Sequence, residues 1–171
     1  ITIKDSLGRP ISEVTVNTGD GNDEITIANT QSLDGIVGTV VVDAGVGSNK
    51  LTVDDLNEGM AETITLTNAV RAGFTSALGI ASGDIHYQGD FGQDVTLQAG
   101  TAADIINIEG LIANAHTTVL GGDGNDVITA SFAPEAGASL TIKGEQGDDT
   151  IDAVAAGFAV TIEGNEGADS I

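Results

Sequence analysis

The feature that most constrains this chain is a short acidic turn that recurs along it. Thr15-Val16-Asn17-Thr18-Gly19-Asp20-Gly21-Asn22-Asp23-Glu24-Ile25 reads like residues 118–128 (TVLGGDGNDVI), 141–151 (TIKGEQGDDTI) and 161–171 (TIEGNEGADSI). Weaker copies occupy 41–51 (VVDAGVGSNKL) and 96–106 (TLQAGTAADII), and a degenerate one occupies 65–75 (TLTNAVRAGFT). The copies start at 15, 41, 65, 96, 118, 141 and 161, so they lie 26, 24, 31, 22, 23 and 20 residues apart. That is the length of one turn of a solenoid, in which each unit buries its apolar face against the next.

Within a unit, a β-branched stretch such as Val14-Thr15-Val16 precedes the turn and another such as Ile25-Thr26-Ile27 follows it. Alternating β-branched residues on both sides of a Gly-Asp turn predict strands. An antiparallel meander would use the same signals, but near-identical turns recurring once per unit favour parallel stacking of like on like. The variable remainder, rich in Ala, Gly, Ser and Asn, reads as corners, and Val70 to Asp84 is expected to form a short helix or cap. The expectation is an all-β chain, residues 1–171 forming one parallel β-helix or β-roll of about seven coils, most of 20–26 residues, with the insertion near 70–84.

Composition agrees with a thin core. Hydrophobic residues make up 40% of the 171, yet only 3% are aromatic, Trp is absent and Gly numbers 24, so Val, Ile, Leu and Ala must fill the interior. Five Lys plus Arg against 26 Asp plus Glu leave a net charge of −21. Such a chain repels nucleic acid phosphates and anionic membranes, and its natural partners are cations. The absence of Cys rules out disulfides and Cys-type zinc sites. No apolar run reaches the roughly 18 residues of a membrane span. Ile1-Thr2-Ile3 is no signal peptide and Ile171 falls inside a repeat, so both ends read as cuts in a longer polypeptide whose export signal lies elsewhere.

Gly121-Gly122-Asp123-Gly124-Asn125-Asp126-Val127-Ile128-Thr129 matches G-G-x-G-x-D-x-U-x throughout. It resembles the calcium-binding nonapeptide of the RTX, or hemolysin-type, repeat family. The chemistry is intelligible: glycines permit positive φ and inward carbonyls, and the sixth-position carboxylate offers hard oxygen to a hard cation. Stacked turns about 4.8 Å apart could share ions between them. Carried over by position, the resemblance makes Asp23, Asp104, Asp126, Asp149 and Asp169 the sixth-position carboxylates, supported by glycines that include Gly121, Gly144 and Gly164. Asp20, Asp123, Glu145, Asp148 and Glu166 are further acids of the same turns. Asp94, in Gly89-Asp90-Phe91-Gly92-Gln93-Asp94, is expected on the opposite edge. Asn49, Lys50 and Arg71 stand in the defective copies, where side-chain nitrogen is expected to replace calcium and interrupt the ladder.

The resemblance implies a right-handed solenoid and calcium as the ligand. It implies a structural role in a secreted bacterial protein at the cell surface: an adhesin, surface-layer or fibre component whose partners are calcium, neighbouring repeats or copies of itself. The alternative is a non-catalytic, calcium-dependent carbohydrate-binding or targeting module beside a polysaccharide-modifying enzyme, with glycans as partners. Catalysis is disfavoured, because acid pairs such as Asp54-Asp55 lack basic and aromatic neighbours. His86 and His116, thirty positions apart, read as surface or corner residues. Thr15, Thr26, Thr52, Thr65, Thr118, Thr141 and Thr161 read as an outward, solvated ladder rather than an ice-binding array.

Overall fold

The computed structural model describes residues 1–3, 13–28, 32–133, 135–154 and 158–171. Its strands in chain order are β1 (Thr2–Ile3), β2 (Glu13–Asn17), β3 (Glu24–Ala28), β4 (Thr39–Asp43), β5 (Lys50–Asp54), β6 (Thr63–Thr67), β7 (Thr75–Leu78), β8 (Ile85–Gln88), β9 (Asp94–Gln98), β10 (Ile105–Ile108), β11 (His116–Asp123), β12 (Val127–Ala130), β13 (Ser139–Gln146), β14 (Thr150–Ala153) and β15 (Ala159–Glu166). A 3-10 turn at Leu33–Gly35 is the sole helical element among the described residues. The strands form where aliphatic and polar residues alternate: Ile25 and Ile27 flank Thr26 in β3, and Leu51 and Val53 flank Thr52 in β5, with the aliphatic members buried.

The chain winds as a parallel β-solenoid of about six turns. Sheet A stacks β1-β3-β5-β9-β11-β13-β15, and sheet B stacks β2-β4-β8-β7-β6-β10-β12-β14. Successive passes leave sheet A for sheet B along one edge, edge 1, and return along the other, edge 2. Inward residues stack in register, as in the file Ile27, Val53, Leu97, Val119, Ile142 and Ile162 of sheet A. Burying each such side chain contributes about 1.5–3 kcal/mol, so these files hold the two sheets together.

The expected seven coils become six because β6, β7 and β8 belong to a single turn. After β5 the chain enters sheet B at β6, doubles back through β7, which is antiparallel to both neighbours, and only at β8 pairs parallel with β4. The repeats starting at 65 and 96 therefore share one coil. The stretch expected as a helix or cap contains strand β7 instead. Tyr87 of β8 and Phe91 just after it fill the core beside this insertion, packed edge to face with centroids 5.8 Å apart.

The outer face of sheet A carries a file of threonines in register: Thr2, Thr26, Thr52, Thr96, Thr118, Thr141 and Thr161. Thr15 and Thr65 lie in sheet B. His86, expected at the surface, is buried with Nδ1 2.8 Å from the Ser76 hydroxyl. His116 has Nδ1 2.8 Å from the Ser139 hydroxyl and is half-buried.

Candidate metal centre

The acidic turns do not form one ladder. Those after β2 and β4, containing Asp23 and Asn49, lie on edge 2, whereas those after β9, β11, β13 and β15, containing Asp104, Asp126, Asp149 and Asp169, lie on edge 1. A strand-turn-strand motif carries no mark of which sheet comes first, so the sequence aligned turns that face opposite sides. The turn at Gly89 to Gln93, which precedes β9, does sit on the edge opposite Asp104, as expected from its spacing.

On edge 1 the sixth-position carboxylates cap one coil from the next. Oδ1 of Asp104 accepts the Glu62 backbone N–H at 2.7 Å, Asp126 accepts that of Asp104 at 2.8 Å, Asp149 that of Asp126 at 2.8 Å, and Asp169 that of Asp149 at 3.0 Å. Glu62 thus occupies the head of the file, a position that its sequence, with Gly59 alone before it and no Gly-x-Gly turn, does not reveal. Asp104, Asp126 and Asp149 are each only 1% exposed. The glycines make this approach possible: a Cβ on Gly144 would lie 2.0 Å from Oδ2 of Asp149 and 2.7 Å from the Gly164 carbonyl oxygen. A Cβ on Gly121 would meet Oδ2 of Asp126 and the Gly144 carbonyl in the same way, and one on Gly164 would meet Asp169.

The second carboxylate oxygen is where the chemistry lies. Oδ2 of Asp126 and Oδ2 of Asp149 are buried and have no hydrogen-bond partner. Burial pushes the Asp126 carboxyl up from 3.8 to about 7, with the charges of Asp149, Asp104 and Asp123 adding to it against the opposing Asp104 N–H. Asp104 and Asp149 are raised for the same first reason, loss of solvation.

Asn49 on edge 2 shows what such a position requires. Its Oδ1 accepts the Asp23 N–H at 2.9 Å, and its Nδ2 donates to the carbonyls of Ala44 at 2.9 Å and Asp90 at 3.0 Å. The amide supplies donors where a carboxylate has none. Asp126 and Asp149 must therefore take up a proton or be met by a cation. Their surroundings, carboxylate plus backbone carbonyl oxygen, are those of a hard cation site.

The other expected ligands are placed differently. Asp20, Asp123 and Asp148 are exposed, outside the buried file. Asp148 belongs to an outer ladder on edge 1, in which Asn125 accepts from Asp148 N–H and Asp148 from Ala168 N–H, and on edge 2 Asn22 likewise accepts from Ser48 N–H. Asp23 is half-buried with Oδ2 unpartnered on edge 2. Asp94 is the first residue of β9, beside Lys50, and Gln93 fills the turn position instead, donating through Nε2 to the Ser48 carbonyl. Lys50 and Arg71 do not enter the turns: they pair outward with Glu24 at 3.4 Å and Glu13 at 3.2 Å. Of the three nitrogens expected in place of a cation, only the Asn49 amide stands there.

A second acidic group lies farther along edge 1, between β5 and β6. Burial and then the Asp55 charge raise Glu62 to about 8, and burial raises Asp55 to about 7 against the Leu33 N–H. Glu58 is lowered, first by the Ser32 hydroxyl and then by the Met60 N–H. On edge 2, an open cleft of about 380 Å³ is lined by Asn68, Phe74, Gln88, Asp90, Asn114 and Glu135 among others. Compared with known proteins, the chain matches no family model, no curated relative and no solved structure.

Proposed function

We propose that the chain is a calcium-stabilised structural repeat region of an exported bacterial surface protein, an adhesin, surface-layer or fibre component, with no catalytic role. The observation that supports it best is the pair of buried, unpartnered Oδ2 atoms of Asp126 and Asp149 within a net charge of −21. Asp104, Asp126, Asp149 and Asp169 would hold the ions, together with glycine carbonyls of the same turns. Calcium would supply the positive charge that the file lacks. An ion that binds only the folded state stabilises it by about 2.7 kcal/mol at one hundred times its dissociation constant. In calcium-poor surroundings the file repels itself, and in calcium-rich surroundings it closes, which suits a chain that completes folding outside the cell. The test is thermal unfolding followed by circular dichroism, in chelator and in millimolar calcium. A large rise in melting temperature is expected, and identical curves would refute the proposal.

A second reading, a calcium-dependent glycan-binding module, is favoured by the edge 2 cleft, whose amides, acids and one aromatic ring are groups that bind sugar hydroxyls and faces. Arg71 lies 4.8 Å over the Phe74 ring and occupies one of its faces, which weakens this reading. Binding on a glycan array that Asn114→Ala abolishes would favour it over the structural role.

A further inference from the structure

Asp34, Glu58 and Glu62 each bring a carboxylate oxygen within 4.8 Å of the other two. Asp34 lies in the 3-10 turn between β3 and β4, and the other two lie between β5 and β6, so the group spans two neighbouring coils on edge 1. Beside them stands Asp55, 2% exposed, whose Oδ1 accepts the Leu33 N–H at 2.6 Å while its Oδ2 has no partner. The Asp55 and Glu62 carboxylates are within hydrogen-bonding reach of each other, and Oε2 of Glu62 is likewise buried without a partner. When both are ionised the two carboxylates offer each other no donor, so these oxygens face a common space that is met either by a shared proton or by a cation. The described Lys and Arg side chains, Lys50, Arg71 and Lys143, are paired with Glu24, Glu13 and Glu163.

We propose that Asp34, Asp55, Glu58 and Glu62 form a second kind of divalent cation site, outside the glycine turns, that clamps the connection before β4 to the one before β6. The donors are all carboxylate oxygen, which selects a hard cation over zinc or copper. Oxygens bound to one calcium ion at about 2.3–2.6 Å can lie no more than about 5.2 Å apart, and the 4.8 Å group meets that limit. The location gives the ion a task. Just past this point sheet B admits β7, antiparallel between β6 and β8, and the regular coil-to-coil stacking of edge 1 is interrupted. An ion here ties the chain entering the insertion to the coil below it. The site uses neither Gly-x-Gly geometry nor the residues of the nonapeptide, so it does not rest on the calcium reading of the turns.

The experiment is calorimetric titration of the chelator-stripped full chain with calcium chloride, comparing the unaltered protein with Asp55→Asn/Glu62→Gln and with Asp126→Asn/Asp149→Asn. Asp55→Asn/Glu62→Gln is expected to bind one ion fewer while keeping the ions of the turns. Unchanged stoichiometry in that variant overturns the clamp. If it alone removes ions and Asp126→Asn/Asp149→Asn removes none, the clamp stands and the calcium reading of the turns fails. Should circular dichroism show Asp55→Asn/Glu62→Gln unfolded, Asp34→Asn replaces it, with a tenfold or greater loss of affinity at one site expected and unaltered affinity at every site overturning the proposal.

Discussion

Asp126→Asn puts the reasoning about the buried file at greatest risk. Its carboxyl is raised from 3.8 to about 7 in the folded chain, chiefly by burial. At 1.36 kcal/mol per pKa unit, the ionised form costs the fold about 4 kcal/mol. A carboxyl raised on folding contributes stability that is complete below 3.8 and is lost as pH rises through about 7. In chelator, then, the protein is expected to be less stable at pH 8 than at pH 5, the reverse of an ordinary salt-bridged acid. Asparagine keeps the Oδ1 that accepts the Asp104 N–H at 2.8 Å and places an amide where Asn49 has one on the other edge. In chelator at pH 8 the variant should be more stable than the parent by up to about 4 kcal/mol, or roughly 10 °C in melting temperature for a chain of this size. At pH 5 the gain should largely vanish.

Calcium should invert the order. If Asp126 holds an ion, millimolar calcium stabilises the parent and leaves the variant behind, so the two melting curves exchange places between chelator and calcium at pH 8. The assay is urea and thermal unfolding by circular dichroism of both proteins, at both pH values, in both media. A variant less stable than the parent in chelator at pH 8, or a difference that does not change between pH 5 and pH 8, would refute the account of Oδ2 as an unmet charge.

Three further substitutions probe the same structure. Gly144→Ala would drive a methyl into Oδ2 of Asp149 and the Gly164 carbonyl, and is expected to cost about 1–3 kcal/mol or more in urea unfolding. Asn49→Asp removes the donors to Ala44 and Asp90 and buries a charge, so in chelator at pH 8 it should cost on the order of 3 kcal/mol, with most of the loss recovered at pH 4. Thr117→Val should stabilise by about 1–3 kcal/mol in the same assay, because Oγ1 of Thr117 is buried without a partner between the aliphatic Val95 and Leu140 of its file.

Period and composition sufficed for the solenoid. Strand pairs such as Thr26 with Thr52 and Thr118 with Thr141 have the register that the repeats imply. What the repeats could not convey is the side of the molecule. Thr15 opens a strand-turn-strand unit from sheet B to sheet A and Thr118 opens one from A to B, and both units present the same alternation and the same Gly-Asn-Asp turn. The insertion is hidden for a related reason: β6 has the inward Ile64 and Leu66 of any coil strand, and only its pairing with β7 shows that it turns back. Thr117 escaped because Thr117-Thr118 offers one threonine to each face, and the outward one alone fits the ladder. The Asp34, Asp55, Glu58 and Glu62 group carries no glycine signature, and its parts come together only once the Leu33 N–H donates to Asp55 of the next coil.

The file on edge 1 also has a direction. Each carboxylate caps the N–H of the coil before it, so Asp149 secures the turn of Asp126, Asp126 that of Asp104, and Asp104 that of Glu62. A coil whose neighbour is disordered loses the acceptor for its own turn, and the loss passes backward along the file rather than forward. The like charges run the same course, since Asp149 and Asp104 both raise Asp126. A positive charge placed between two coils relieves the acids on either side of it, so the electrostatic coupling and the hydrogen-bond coupling act between the same neighbours. Stability in such a solenoid is a sum over coils and their interfaces. Here the edge 1 interfaces include the buried carboxyls of Asp104, Asp126 and Asp149, and it is these, rather than the aliphatic core, that make the sum depend on pH.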